Sequence, residues 1–123
     1  MPQPLLWASL ESKGDLPGPR SGHSLTKCGD HYVILGGMKQ NDKGEVGPTD
    51  EIYELRISPN ACNWQRKTMK NADPAPLPRS QHVAVYMEDH KLMVFGGHYS
   101  PHVRLNDTWI LDTKLDTWSW PEY

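Results

Sequence analysis

Pro19-Arg20-Ser21-Gly22-His23-Ser24 and Pro78-Arg79-Ser80-Gln81-His82-Val83 are two versions of one phrase, and each leads into an apolar run that ends on a glycine pair. The first run is Tyr32-Val33-Ile34-Leu35-Gly36-Gly37; the second is Leu92-Met93-Val94-Phe95-Gly96-Gly97. Behind each pair come a polar stretch, an acidic residue, a strand-like segment (Ile52-Tyr53-Glu54-Leu55; Thr108-Trp109-Ile110-Leu111) and a late Trp64 or Trp118. The copies are offset by 59 residues at Pro-Arg, 60 at Gly-Gly, 56 at Tyr53/Trp109 and 54 at Trp64/Trp118. Landmarks that keep their order while their spacing drifts mark a structural repeat whose loops vary in length. A unit of this size cannot bury its faces alone, so the period points to a propeller or a solenoid.

Within each copy the local pattern is that of strands. Leu25 to Cys28 and Tyr32 to Leu35 flank a tight turn at Gly29-Asp30. Ile52 to Ile57 sets Ile52, Glu54 and Arg56 against Tyr53, Leu55 and Ile57, the period of a strand with unlike faces. Cys62 to Lys67 makes a fourth strand after a turn at Ser58 to Ala61. The second copy repeats this at Val83 to Met87, Leu92 to Phe95, Thr108 to Asp112 and Thr117 to Trp120. No stretch carries helical periodicity, and the expected fold class is all-β.

The ordered Pro-Arg-x-Gly-His start, double glycine and spaced aromatics resemble the kelch motif, over nearly the whole chain. The resemblance implies one four-stranded antiparallel β-propeller blade per copy. Gln81 departs from the pattern where the first copy has Gly22, and Trp109 stands where the first copy has Tyr53. Leu5-Leu6-Trp7 precedes the first Pro-Arg much as Asn63-Trp64-Gln65 precedes the second, and so reads as the last strand of another blade. The expected organisation is an orphan outer strand and linker over 1–18, a first blade over 19–67, a linker over 68–77 and a second blade over 78–120. Propellers close with about four to eight blades, so two blades form an incomplete ring. The chain is then part of a longer propeller, or copies assemble through open blade faces, or an open array stands alone.

Composition narrows the function classes. The 123 residues carry 37% apolar side chains with 11 Pro and 10 Gly, as short strands joined by many turns require. A net charge of −2 gives no nucleic-acid footprint. No basic leader or long apolar stretch is visible, so no membrane association is expected, and the expected location is the cytoplasm or the nucleus. Cys28 and Cys62 lie on different strands without C-x-x-C spacing and read as unpaired thiols.

The repeated residues read as structural. Gly36, Gly37, Gly96 and Gly97 follow buried strands, where backbone must approach closely and glycine alone tolerates positive φ. Tyr53, Trp64, Trp109 and Trp118 are large rings suited to filling the space between blades. Arg20, His23, Arg79 and His82 recur in register and should hydrogen-bond turns in each blade. His98 and His102 are four apart, but Pro101 between them rules out a helical metal-binding face, and no metal or other cofactor is expected. Asn106-Asp107-Thr108 fits a glycosylation sequon yet falls at the polar-to-strand boundary of the repeat.

Strand order also assigns a functional face. Turns between strands 1–2 and 3–4 are short and share one end of the blade. Connections 2–3 and 4–next-1 are long and share the other, at Ser9 to Gly18, Met38 to Thr49, Met69 to Leu77 and His98 to Leu105. Long loops on a rigid scaffold are where recognition sits. The candidate partner-binding residues are therefore Lys39, Asn41, Asp42, His98, Tyr99, His102 and Arg104. The expected function is a non-catalytic scaffold or adaptor that binds a protein partner. The alternative is a piece of a metal-dependent enzyme of this family, copper oxidase-like or iron-dependent specifier-like, whose site lies in other blades.

Overall fold

The computed structural model describes residues 6–71 and 74–120, which form eleven strands and no helix. In chain order these are β1 (Glu11–Gly14), β2 (Ser24–Cys28), β3 (His31–Leu35), β4 (Met38–Gln40), β5 (Val46–Pro48), β6 (Ile52–Ile57), β7 (Ala61–Lys67), β8 (Val83–Met87), β9 (Lys91–Ser100), β10 (Val103–Asp112) and β11 (Thr117–Ser119). Blade 1 is a five-stranded sheet in the order β1-β7-β6-β3-β2, and blade 2 is a four-stranded sheet in the order β11-β10-β9-β8. The eight core strands of the repeat run antiparallel, sequential neighbours pairing as in an up-and-down blade. This is the all-β architecture that the two copies imply.

The central strands carry the burial. In β3, His31, Val33, Ile34 and Leu35 are all buried, and β6 is buried from Ile52 to Leu55 before Arg56 and Ile57 emerge. The strand period of two places Cys28, Val33, Leu35 and Ile52 on one face of blade 1. They pack against Leu92, Val94, Leu111 and Trp118 of blade 2, with Met69, Ala84, Tyr86 and Trp109 at the margin. Each fully buried side chain of this kind is worth about 1.5–3 kcal/mol, so the joint between blades is the hydrophobic core of the chain.

Backbone contacts fix the register of that joint. The Gly37 amide donates to the Arg79 carbonyl at 2.9 Å, and the Gln81 amide donates to the Gly22 carbonyl at 2.7 Å. His82 Nε2 and Ser24 Oγ lie 2.8 Å apart across the joint, so His82 serves the neighbouring blade rather than a turn of its own. Gly36 has φ +67°, and a Cβ there would lie 2.5 Å from the Arg79 carbonyl oxygen. Gln81 holds φ 56°, close to the 69° of Gly22, so the turn keeps its left-handed backbone without glycine.

Two expectations are corrected. Leu5 lies outside the described residues, and Leu6 and Trp7 are 88% and 100% exposed, so among the described residues no strand forms there. The outer strand is instead β1, which runs parallel to β7 with Glu11 opposite Ala61 and Gly14 opposite Trp64. The physical reason is the open edge of β7, whose unpaired backbone groups need partners. Asp15 completes the ladder: its amide donates to the Trp64 carbonyl, and its carboxylate accepts from the Arg66 amide. Blade 2 does the same with less chain. The Asn71 side chain donates to the Trp118 carbonyl and accepts from the Trp118 amide, each at 2.7 Å, and Lys70 N donates to Asp116 O. Each repeat's leading segment thus closes the edge of that repeat's own last strand.

The second correction concerns the long connections. Residues 38–48 form the β4–β5 hairpin, and β9 and β10 continue past the glycine pair to a turn at Pro101-His102, with bulges at Val103/Arg104 and Leu105/Thr108. Bridges from Ser21 to Met38 and from Ser80 to His98 start both extensions. The polar composition of these stretches reflects exposed hairpins rather than irregular loops.

Two outcomes follow. Gly36→Ala combines a left-handed backbone with a clash against main chain and should destabilise by about 2–4 kcal/mol in urea unfolding. Gly18→Ala, at φ +74° with open space around it, should cost about 1 kcal/mol. Burial, with Arg79 and His23 nearby, holds the His82 pKa down at about 4. The unfolded chain, with an ordinary histidine near 6.5, then binds more protons than the fold as pH falls below neutrality. Stability is therefore full above about pH 6.5 and lost progressively toward pH 4. The urea midpoint should drop between pH 7 and pH 5, and His82→Gln should flatten that dependence.

Candidate partner-binding face

The face is rooted on two matched charge nodes. Arg79, its side chain 2% exposed, donates to the Leu77 carbonyl at 3.0 Å, to the Gly96 carbonyl at 3.1 Å, and to both carboxylate oxygens of Asp107 at 2.7 and 3.0 Å. Arg20 repeats the pattern with the Pro17 carbonyl, the Gly36 carbonyl at 3.4 Å and Glu51 at 3.1 Å. One guanidinium thus ties the leading segment, the glycine-pair strand end and the acid that opens the third strand. Its planar fork is what makes three simultaneous directions possible. The aromatic two residues after each acid joins the node: Trp109 Nε1 donates to Asp107 at 2.7 Å, and the Tyr53 hydroxyl donates to Glu51 at 3.4 Å. Arg20 also lies over the Tyr53 ring, 5.3 Å from its centroid.

The nodes differ in charge. Asp107 is held below the ordinary carboxylate range chiefly by the Arg79 hydrogen bonds, burial opposing and Trp109 assisting. At Glu51 burial pushes the pKa up, but Lys39, Arg20 and Arg66 together outweigh it and the carboxyl stays below its usual range. Lys39 Nζ is 3.0 Å and Arg66 Nη1 3.5 Å from the Glu51 carboxylate. Blade 1 therefore gathers three cations on one acid, where blade 2 has a single pair.

Two clefts open on this side of the joint. The first, about 200 Å³, lies between the blades; Leu35, Ile52, Met69, Pro76, Val94 and Trp118 form much of its wall. The second, about 380 Å³ and more open, lies along the β4–β5 hairpin and includes Lys39, Asn41 and Glu45. Thr49, Asp50, Glu51 and Arg66 line both, so the clefts are continuous through the blade 1 charge node.

The sequence-derived candidates divide on this geometry. Lys39 and Asn41 line the second cleft, but both are committed: Lys39 pairs with Glu51, and Asn41 Oδ1 accepts from the amides of Lys43 and Glu45 to build the hairpin turn. Asp42 is exposed on that turn. His98 is half-buried and exchanges backbone hydrogen bonds with Ser80. Tyr99, His102 and Arg104 are exposed on the β9–β10 hairpin, outside both clefts. The candidates therefore form two patches. Sequence reasoning missed Arg66, Asp50 and Glu51, although the repeated acid before each third strand was visible. Trp109 packs edge-on against Trp118 and Trp120 at 6.1 and 5.7 Å, while Trp64 is half-buried on the outer strand of blade 1. His23 packs its Cβ and amide on Gly37. Among the described residues no group of three or more His, Cys, Asp or Glu is placed to hold a metal ion.

Comparison with known proteins agrees with this geometry. The family model described as the KLHDC2/KLHL20/DRC7 Kelch-repeats domain matches residues 2–123. The dynein alpha chain of the flagellar outer arm from Chlamydomonas reinhardtii is 34% identical over 94% of this chain and 2% of its own length. Dynein regulatory complex subunit 7 from the same organism is 35% identical over 82% of this chain and 8% of its own. An F-box/kelch-repeat protein from Arabidopsis thaliana is 31% identical over 91% of this chain and 23% of its own. The chain thus spans a small part of these relatives. The solved structure of YjhT superposes with a TM-score of 0.71 at 15% identity, covering 87% of this chain and 39% of that one, a likeness of fold.

The charge nodes yield a stability test. Asp107→Asn removes the counter-charge of a buried guanidinium and should destabilise by about 3 kcal/mol in urea unfolding. Asp42→Asn, on an exposed turn, should change the midpoint by less than about 0.5 kcal/mol.

Proposed function

The chain belongs to the kelch-repeat family, and on that footing we propose that it is a non-catalytic protein-interaction module of the cytoplasm, engaging a protein partner through the face that carries the long connections. The observation that carries this reading is the continuous pair of clefts through Glu51 and Arg66, flanked by two rigid hairpins. An apolar wall beside paired charges suits a peptide or loop that inserts one apolar side chain and meets polar groups at the rim. The exposed Tyr99 and Arg104 are of the residue types that dominate interface energetics. A relative named as a subunit of a dynein regulatory complex supports a protein as the partner class.

Photo-crosslinking residues placed singly at Asp42, Arg66 and Tyr99 should capture a common protein. The same probe at Lys114, on the short-turn end of blade 2, should not. Capture that is equal from Lys114, or confined to it, would sink the assignment of the face. Arg66→Glu combined with Tyr99→Ala should weaken capture about tenfold or more.

A further inference from the structure

We propose that a small pocket at the short-turn end of the joint binds one water molecule, which donates to His31 Nε2 and ties it to Lys67 and a neighbouring carboxylate. The blades are then fastened at the end opposite the glycine pair as well as beside it. The pocket measures about 10 Å³, on the scale of a single water. Val33, Ile52, Met69 and Leu111 give it apolar walls. Its polar groups are His31, Glu54, Lys67, Thr113 and Asp116. The His31 side chain is 7% exposed, and its Nε2 is buried with no hydrogen-bond partner among the described residues.

The chemistry of the ring decides what Nε2 requires. His31 Nδ1 lies 2.9 Å from Asp30 Oδ1. Hydrogen bonds from His31 and Arg56 hold the Asp30 carboxyl down at about 2, so it is ionised and only accepts. Nδ1 therefore carries the proton of the neutral ring, and Nε2 is left as a buried acceptor in need of a donor. Glu54 and Asp116 are carboxylates and offer none, and the Thr113 hydroxyl donates to the His90 carbonyl at 3.0 Å. Lys67 Nζ stands 3.7 Å from Glu54 Oε2 and 3.1 Å from Asp116 Oδ2, which leaves one of its three protons to give. A water meets all of these demands. It accepts from the ammonium, donates one proton to Nε2 and donates the other to a carboxylate, about three hydrogen bonds, as is usual for buried water. His31, Glu54 and Lys67 belong to blade 1 and Asp116 to blade 2, so the water completes a network that crosses the joint.

A crystal structure of the full chain, with nitrogen NMR of its histidine rings, tests this. The density should hold one ordered water within about 2.7–3.2 Å of both His31 Nε2 and Lys67 Nζ. The neutral His31 ring should carry its proton on Nδ1. His31→Leu removes the acceptor and should keep the strand circular dichroism of the parent. In that variant the Lys70 amide, which donates to the Asp116 carbonyl at 2.8 Å, should exchange with solvent about tenfold faster. A dry pocket, a side-chain donor seated directly on Nε2, or a neutral ring protonated at Nε2 would overturn the proposal. So would a folded His31→Leu chain whose Lys70 exchange matches the parent.

Discussion

A guanidinium buried at the start of each repeat is the constraint on which the rest of the structure hangs. Arg79 cannot leave its charge unpaired at 2% exposure, so Asp107 must come to it, and with Asp107 comes the start of the third strand. The same fork accepts no freedom from the glycine-pair carbonyl or from the leading segment. Three stretches far apart in sequence are pinned to one plane. The carbonyl of that same arginine is also the acceptor for Gly37 of the preceding blade. Side chain organises the blade and main chain joins it to its neighbour, so within-blade order and between-blade register are set at one residue.

That arrangement explains why the glycine pair cannot be replaced by other small residues. The Arg79 carbonyl occupies the space where a Cβ on Gly36 would stand, and Gly37 is pressed on the other side by Ser21 and His23. The interface is thereby a backbone-to-backbone contact at its inner end and a side-chain core further out, with Leu35 and Ile52 meeting Val94 and Trp118. Specificity of register comes from the first and cohesion from the second.

The strands were legible because their signals are local. A run such as Tyr32 to Leu35 ending on glycines leaves little choice of conformation, and two copies in order supply the blade assignment. What stayed hidden depends on contacts between distant residues. Glu11 to Gly14 is a charged stretch with no strand signature, and it becomes a strand only because β7 offers an open edge. The hairpins after each glycine pair were masked by polar composition, since an exposed two-stranded ribbon needs no apolar face. Lys39 and Asn41 looked available as loop residues, but the Glu51 carboxylate just before β6 and two turn amides had already engaged them. Residue type and loop position indicate where a surface is; they do not indicate which side chains the scaffold has consumed in building it.

The way each repeat closes its own outer edge bears on how the chain is made. Glu11 pairs with Ala61 and Asp15 with Trp64, so the first residues of blade 1 wait for its last before either has a partner. A polypeptide leaving the ribosome therefore holds a provisional sheet until about the length of one repeat has emerged, and then latches it. Because the latch belongs to the same repeat, blade 1 can complete its strand pairing before blade 2 is synthesised. The later blade then docks on a finished template, and adding or losing a repeat in evolution leaves no severed edge behind.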